Sequence, residues 1–194
     1  MDKPEDMVRV VESKVLSANY KTLRKTRLEY RRRDGAWQGQ TRESYDTGDG
    51  AAVLPIDRAR GVVLLIRQFR WPVWQWGHHE KLVEVVAGQL DGDAPEICAA
   101  KEAMEEAGVV VTGLQLALAP FTMPGLCTER LYLFLADYDS TAPRGTGGGH
   151  AHEGEDIEVL EMTLDDALAM VARGEILDAK AIMLLQAAKL RGIP

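Results

Sequence analysis

The chain reads as an α/β protein: a mixed sheet with helices on it, preceded by a small N-terminal antiparallel β hairpin. Three observations carry that reading. Apolar runs of strand length at 51–56, 62–69, 82–87, 109–118 and 131–138 recur between turn signals. Helical stretches at 94–107, 164–173 and 178–190 stand between and after them. A basic segment at 21–46 turns at Asp34-Gly35, a strong hairpin signal. Residues 1–48 are thus expected to form the hairpin region and 49–194 the main domain.

At 194 residues, 46% hydrophobic and 27% charged, the chain is long enough for one sizeable domain with a small appendage. A net charge of −7 argues against non-specific nucleic-acid binding, which neutralises phosphates with Lys and Arg. An anionic ligand would then be met by a local basic patch or by metal. The start, MDKPEDMVR, has no apolar signal core, and the longest aliphatic run, Val62 to Ile66, is too short to span a bilayer. A cytoplasmic protein without a membrane partner is expected. Cys98 and Cys127 have neither metal spacing nor a disulfide framework, so ordinary reduced thiols are expected.

In the hairpin, Leu23 to Arg33 and Ala36 to Tyr45 flank the turn. Over residues 21–33, Lys21, Arg24, Lys25, Arg27, Arg31, Arg32 and Arg33 stand against the single Glu29, so an acidic chain has placed positive charge on this segment. The next two strands, Ala51 to Ile56 and Val62 to Phe69, are separated by the polar turn Asp57 to Gly61. Alternation puts Arg67 and Phe69 on one face and Arg70 on the other. A guanidinium at Arg70 suits two phosphate oxygens, and a surface ion pair is the plain alternative. Trp71, Trp74 and Trp76, with Pro72 and Gly77, read as a loop whose aromatic area favours a dimer interface over a base-stacking platform. His78 and His79 lack a spaced partner cluster and read as surface residues.

The stretch from Glu84 to Val109 reads as a strand, a glycine loop and a carboxylate-rich helix. Asp93 and Glu96 make a capping-box pattern, Pro95 suits the first turn, and Gly108 suits the end, so the helix is expected from about Ala94. At about 100° per residue, Ile97, Ala100, Met104 and Ala107 share one face and Glu102, Glu105 and Glu106 the opposite one. Like charges at this spacing cost roughly 0.2–0.5 kcal/mol per pair, and only Lys101 stands near enough to relieve them. A solvated face would explain one such pair. Three suit a hard divalent cation, Mg²⁺ with Mn²⁺ as a substitute, and Gly88 lets it approach the backbone.

After the helix, Val109 to Leu118 and Leu131 to Tyr138 read as strands joined through Met123-Pro124-Gly125. Residues 139–154 are rich in Gly, Ser and Thr, with Gly147 to Gly149 and His150-Ala151-His152, and read as a flexible loop of the kind that closes over substrate. The two histidines are poorly spaced for a metal. Leu164 to Arg173, closed by Gly174, and Asp178 to Leu190 read as amphipathic helices.

Gly88, Lys101-Glu102, Glu105-Glu106 and Gly108-Val109 resemble the Nudix box. The spacer after Gly88 is one residue short of the usual pattern, Asp93 stands in place of Glu, and Lys101 in place of Arg. The short spacer and the Lys-Glu pair resemble the GDP-mannose pyrophosphatase branch of that family, and the similarity runs from about Val11 to Leu190. The resemblance implies an α/β/α sandwich and a homodimer with exchanged N-terminal strands. It implies a metal site of the Ala87 carbonyl, Glu102, Glu106 and Glu155, with Glu105, Glu106 and Glu155 serving catalysis. Glu153 competes with Glu155 for the role at the water. Substrate contacts implied are Tyr20, Arg42, Glu43, Arg70, Glu84, Ala87, Gly88, Glu129 and Lys180. Pro124, 16 residues beyond Gly108, resembles a mark of ADP-sugar pyrophosphatases and favours nucleoside diphosphate sugars.

The expected activity is Mg²⁺-dependent hydrolysis of the pyrophosphate of GDP-mannose, with ADP-ribose second. Two rivals come from other classes: a Nudix-fold module that binds a nucleotide sugar without cutting it, and a protein whose tryptophan loop serves another protein. Three self-repelling carboxylates are of little use to a pure binder.

Overall fold

Residues 4–193 are described by a computed structural model. They fall into two units, one reaching to Asp49 and including Phe121–Arg130, the other made of Gly50–Pro120 and the chain from Leu131 onward.

The first unit is a three-stranded antiparallel sheet in the order β1 (Val8–Ala18), β2 (Thr22–Arg31), β3 (Trp37–Asp46). The expected hairpin is β2–β3, with the last pair Arg31↔Trp37. The connection is residues 32–36, longer than a two-residue turn, because Arg32 N–H donates to the Ala36 carbonyl at 2.8 Å. Gly35 supplies the left-handed conformation there, φ 85°. Strand β1 is a finding beyond the sequence reading. Its register against β2 shifts twice, and Val8, Val10, Val11, Val15 and Leu16 stay exposed within this unit. Apolar residues on both faces give no alternating pattern to read. The segment 121–130 joins this sheet by bonds between Tyr45 N–H and the Leu126 carbonyl, 2.9 Å, and between Thr128 N–H and the Tyr45 carbonyl, 3.2 Å.

The second unit is an α/β/α sandwich about a seven-stranded mixed sheet. Its path is β10 (Glu158–Thr163), β5 (Val62–Gln68), β4 (Gly50–Asp57), β9 (Leu131–Asp137), β8 (Thr112–Leu118), with β4 and β9 parallel. Strand β4 is buried along its whole length because both its faces are covered. Helix α2 (Pro95–Ala107) packs on one face through Cys98, Ala99, Ala103 and Ala107 against Ala51, Val53, Leu64 and Ile66. Helices α3 (Leu164–Arg173) and α4 (Ala179–Leu190) cover the other through Leu164, Ala167, Leu184 and Leu185 against Leu54, Ile56, Val63 and Leu65. Among the described residues no helix is long and apolar enough to cross a membrane.

Two departures bear on the site. The expected single run 82–87 is two strands, β6 (Leu82–Glu84) on β5 and β7 (Val86–Gln89) on β4. Strands β4 and β5 pair only at Ile56↔Val63 and Asp57↔Val62 and then splay. The chain enters the gap beside β5, reverses at the wholly buried Val85 and leaves beside β4. Alternation alone does not reveal such a reversal, since both arms are apolar. The tryptophan segment is also a helix, α1 (Trp71–Trp76), where a loop was expected. Pro72 fits its first turn and Gly77 closes it in the left-handed conformation. Six residues are too few for a helical period to show.

Candidate active site

At the splayed end of β5, Arg70 caps α1 and turns its guanidinium onto Glu84 of β6. Arg70 Nε donates to Glu84 Oε1 at 2.7 Å and an Nη to Oε2 at 3.1 Å, a bidentate fork. Lys180 Nζ donates to the same Glu84 Oε2 at 3.2 Å and to Asp178 Oδ1 at 2.7 Å. Asp178 Oδ2 in turn accepts from Ala181 N–H at 3.0 Å and so caps α4. Glu84 is 1% exposed. Burial alone would raise its proton affinity, but the Arg70 hydrogen bonds and the nearby Lys180 outweigh burial and hold it below the ordinary glutamate value. Arg70 and Lys180 are both partly desolvated, yet their acidic neighbours keep each above its ordinary value. Gln68, two residues before Arg70, is also buried, and its Nε2 has no hydrogen-bond partner among the described residues.

The box helix sits with its acidic side turned differently from expectation. Ile97 and Met104, expected in the core, are 52% and 41% exposed, whereas Glu106 is 2% exposed. Cys98, Ala99, Ala103, Glu106 and Ala107 are the buried residues of α2. Small side chains let the helix lie close to the sheet, where Glu106 Oε2 accepts the Ala87 N–H at 3.0 Å. Burial first, then the charges of Glu102 and Glu155, push the Glu106 carboxyl up to about 8, against the pull of Ala87 N–H and Arg70. Glu102 lies directly on Gly88, where a Cβ would overlap its carboxylate. Glu105 faces outward, 42% exposed.

The expected capping box is replaced. Ala94 is the N-cap, without a side-chain bond, and Asp93 pairs with Lys101 instead. Lys101 thereby braces the loop before the helix. Its raised proton affinity comes first from the hydrogen bond to Asp93 and then from that residue's charge, with Glu105 a smaller contributor. Gly108 closes α2 as expected, φ 68°.

The Gly-rich loop is not free-standing. Gly145 N–H donates to the Gly108 carbonyl at 2.7 Å, Gly148 N–H to Glu106 at 2.9 Å and Gly149 N–H to Glu105 at 3.0 Å, so it binds the last carbonyls of α2. Beyond it, Glu155 Oε2 accepts His150 N–H at 2.8 Å. His150 Nε2 lies 3.4 Å from Glu105 Oε2. The side chain of Glu153 lies outside the described residues.

The second unit thus gathers Arg70, Glu84 and Lys180 into one ion cluster. It gathers Ala87, Gly88, Glu102, Glu105, Glu106, His150 and Glu155 around α2 and the loop. Of the other candidates, Tyr20, Arg42, Glu43 and Glu129 belong to the first unit. Tyr20 is 82% exposed, Arg42 donates to the Thr41 carbonyl at 3.1 Å, Glu43 pairs in register with Lys25, and Glu129 accepts Thr122 Oγ1 at 2.6 Å. Sequence reasoning did not name Asp178 or His150 as members of these clusters. An aspartate before an apolar helix was a legible cap signal for Asp178; for His150 no signal existed.

The donors about α2 are carboxylates and the peptide groups of Ala87 and Gly88, the hard oxygen chemistry that suits a divalent cation. The Glu106 carboxyl, pushed up first by burial and then by the charges of Glu102 and Glu155, sits where a bound cation would relieve the crowded carboxylates. In that chemical sense the residues fit, although among the described residues no three acidic, histidine or cysteine side chains already stand in ligating array.

Comparison with known proteins gives the family. A family model of the NUDIX domain matches residues 46–185, and one of the GDP-mannose pyrophosphatase NudK N-terminal domain matches residues 7–45. The chain belongs to the Nudix family, whose hydrolases generally need a divalent metal. It is 45% identical over 187 residues to a GDP-mannose pyrophosphatase of Cronobacter sakazakii, covering 96% of this chain and 97% of that one. It is 44% identical over 193 residues to one of Pectobacterium atrosepticum, covering 99% and 97%. Among solved structures an ADP compounds hydrolase superposes with a TM-score of 0.72 at 16% identity, covering 96% of this chain and 95% of that chain, which shows the shared fold.

Proposed function

We propose that this Nudix hydrolase is a cytoplasmic GDP-mannose pyrophosphatase that uses Mg²⁺, with Mn²⁺ as a substitute. The observation that carries the reading is near-full-length identity to proteins of that name, N-terminal segment included. In this reading the Ala87 carbonyl, Glu102, Glu106 and Glu155 hold the cation. Once bound, it supplies Lewis-acid polarisation of phosphate oxygens and acidifies a water.

The chain's own residues do the rest. Arg70 presents donors to the diphosphate from a side chain held by Glu84, so its orientation is set before substrate arrives. Lys180 stands beside it on the same carboxylate and adds positive charge. Gly88, lacking a Cβ, leaves room for the Glu102 carboxylate to lie against the backbone beside Ala87. Glu105, Glu106 and Glu155 are assigned to orient the attacking water and take its proton. One phosphorus gains the water oxygen, the P–O–P bond breaks with its electron pair on the bridging oxygen, and GMP and mannose 1-phosphate leave. Tyr20, Arg42, Glu43 and Glu129 are assigned to the substrate as well, the first three lent across a homodimer by exchanged N-terminal strands. The exposed valines of β1 support that exchange, since they leave an apolar edge to be covered.

The test is incubation of the purified protein with Mg²⁺ and either GDP-mannose or ADP-ribose, following the nucleoside monophosphate released. Faster release from GDP-mannose is expected. Binding without release would make the chain a binding module, and faster release from ADP-ribose would reassign its substrate.

A further inference from the structure

We propose that Gly149 and the backbone N–H of His150 are positioning residues: the glycine run locks onto the C-terminus of α2 so that Glu155 is held ready beside Glu106. The inference rests on the assignment of Glu155 to catalysis made above.

The loop approaches the end of α2 more closely than side chains permit. A Cβ at Gly147 would stand 3.0 Å from the Glu106 carbonyl oxygen and 3.1 Å from Ala107 carbonyl carbon and Gly108 N, all of it backbone that cannot step aside. A Cβ at Gly108 would stand 2.6 Å from the Gly145 carbonyl oxygen. This closeness lets Gly148 and Gly149 donate to the Glu106 and Glu105 carbonyls, the two box glutamates whose side chains flank the site. The loop is then turned back on itself by Ile157 N–H to the Gly148 carbonyl, 3.3 Å. Within that turn Glu155 receives the His150 N–H. One short segment therefore grips the helix that carries Glu105 and Glu106 and also grips Glu155.

The far end of the loop is anchored too. Ser140 N–H and hydroxyl donate to Asp57 Oδ2 at 3.2 and 2.5 Å, and Arg144 pairs with Glu161, which also receives Arg60 at 2.8 Å. Glycines in this run thus serve close approach as much as conformational freedom.

Gly149 and Gly148 differ in a way that makes the idea testable. A Cβ at Gly149 would overlap Glu155 Oε2 and lie 2.9 Å from Glu155 Cβ and Ile157 Cδ1. At Gly148 the nearest atom would be 4.0 Å away. Both have positive φ, 73° and 90°, so an alanine at either carries comparable backbone strain, and only at Gly149 does it displace Glu155.

The experiment compares Gly148→Ala, Gly149→Ala, His150→Pro, Glu155→Gln and the Gly149→Ala/Glu155→Gln double variant in the full chain. It measures kcat and KM for GDP-mannose, Mg²⁺ affinity by calorimetry, and melting temperature. Gly149→Ala is expected to lower kcat and Mg²⁺ affinity by about 10- to 100-fold, the usual effect of losing a group that orients a ligand, with KM little changed. Gly148→Ala should melt at a similar temperature yet keep kcat within about threefold. The double variant should be no slower than Glu155→Gln alone, because the two act through one group. His150→Pro, which removes the donor to Glu155 without adding a Cβ at 149, should reproduce the kcat loss if Gly149→Ala fails to fold. If Glu155→Gln is slow but Gly149→Ala and His150→Pro match Gly148→Ala, the positioning idea is overturned. A fully active Glu155→Gln overturns the assignment of Glu155 and the idea with it.

Discussion

Replacing Glu84 by Gln removes the charge on which Arg70 and Lys180 converge, and the structure sets the size of the effect. Removing one partner of a fully buried ion pair costs about 3–5 kcal/mol, because the other charge is left stranded. Here the cost is reduced on two counts. The Arg70 side chain is 41% exposed, so water relieves part of its loss. Lys180 keeps Asp178 at 2.7 Å. A loss of about 2–3 kcal/mol is therefore expected, which for a chain of this length lowers Tm by about 4–12 °C. The surface pair Arg67–Glu158, at 3.0 Å with side chains 37% and 53% exposed, supplies the control. Arg67→Gln should cost less than about 1 kcal/mol.

The effect has a pH signature. Folded Glu84 is held below its ordinary value of 4.5, so its stabilisation is complete above that value and is lost as pH falls through the folded value. Wild type and Glu84→Gln should differ most at pH 6–8, and their melting temperatures should converge as the pH is taken well below 4.5. Thermal melts from pH 3 to 8 measure this. A Glu84→Gln protein within 1 °C of wild type at neutral pH, or a difference that grows on acidification, would refute the reasoning.

Three further outcomes are expected. Glu106→Gln should fold and lose roughly 10²- to 10⁴-fold in turnover, measured at saturating Mg²⁺. Mg²⁺ should raise Tm relative to EDTA by stabilising the folded state by about 2.7 kcal/mol at a hundred times Kd, and both Glu102→Gln and Gly88→Ala should shrink that rise. The Gly88 variant should still fold, since the atoms nearest its new Cβ are Oε1, Cδ and Cγ of Glu102, a flexible side chain that can turn aside. Mixing an Arg42→Ala subunit with a Glu106→Gln subunit should recover part of the activity, read after demonstrated subunit exchange; a mixture as inactive as its parents would remove the shared-site arrangement.

Much of the fold was legible because its signals are local. Gly108 and Gly174 end their helices in the left-handed conformation, as their sequence places suggested. The paired strands at 50–57 and 62–68 lie where apolar runs and a polar turn placed them. The failures about the box helix share a physical cause, since each depends on a contact beyond the reach of local pattern, whereas α1 was missed because it is too short to show a period. The helical projection set the core of α2 on the side of Ile97 and Met104 because it treated every glutamate as solvated, whereas the buried face runs through Cys98, Ala99, Ala103, Glu106 and Ala107 and divides the expected acidic side between buried Glu106 and exposed Glu105. Glu106 is buried since Ala87 N–H, 19 residues away in the chain, offers it a partner. Asp93 left its cap for Lys101, eight residues on. The glycine run read as freedom, whereas the close approach to Glu106 and Ala107 that requires it is visible only once both are placed.

The site residues divide along the same line. The box named Glu102, Glu105 and Glu106 from their spacing, but the Arg70–Glu84–Lys180 cluster joins three elements and was reached through resemblance. Its logic is plain afterward: the reversal at Val85 sets Glu84 deep in the splayed sheet, where a carboxylate needs cations on both sides.

The central claim is hydrolysis of the diphosphate of GDP-mannose, and ³¹P NMR of GDP-mannose with the protein and Mg²⁺ in ¹⁸O-enriched water tests it most directly. The diphosphate signals should give way to those of GMP and mannose 1-phosphate in equal amounts, with ¹⁸O in one product only and no reaction in EDTA. An unchanged diphosphate, or phosphate products other than that pair, would contradict the account.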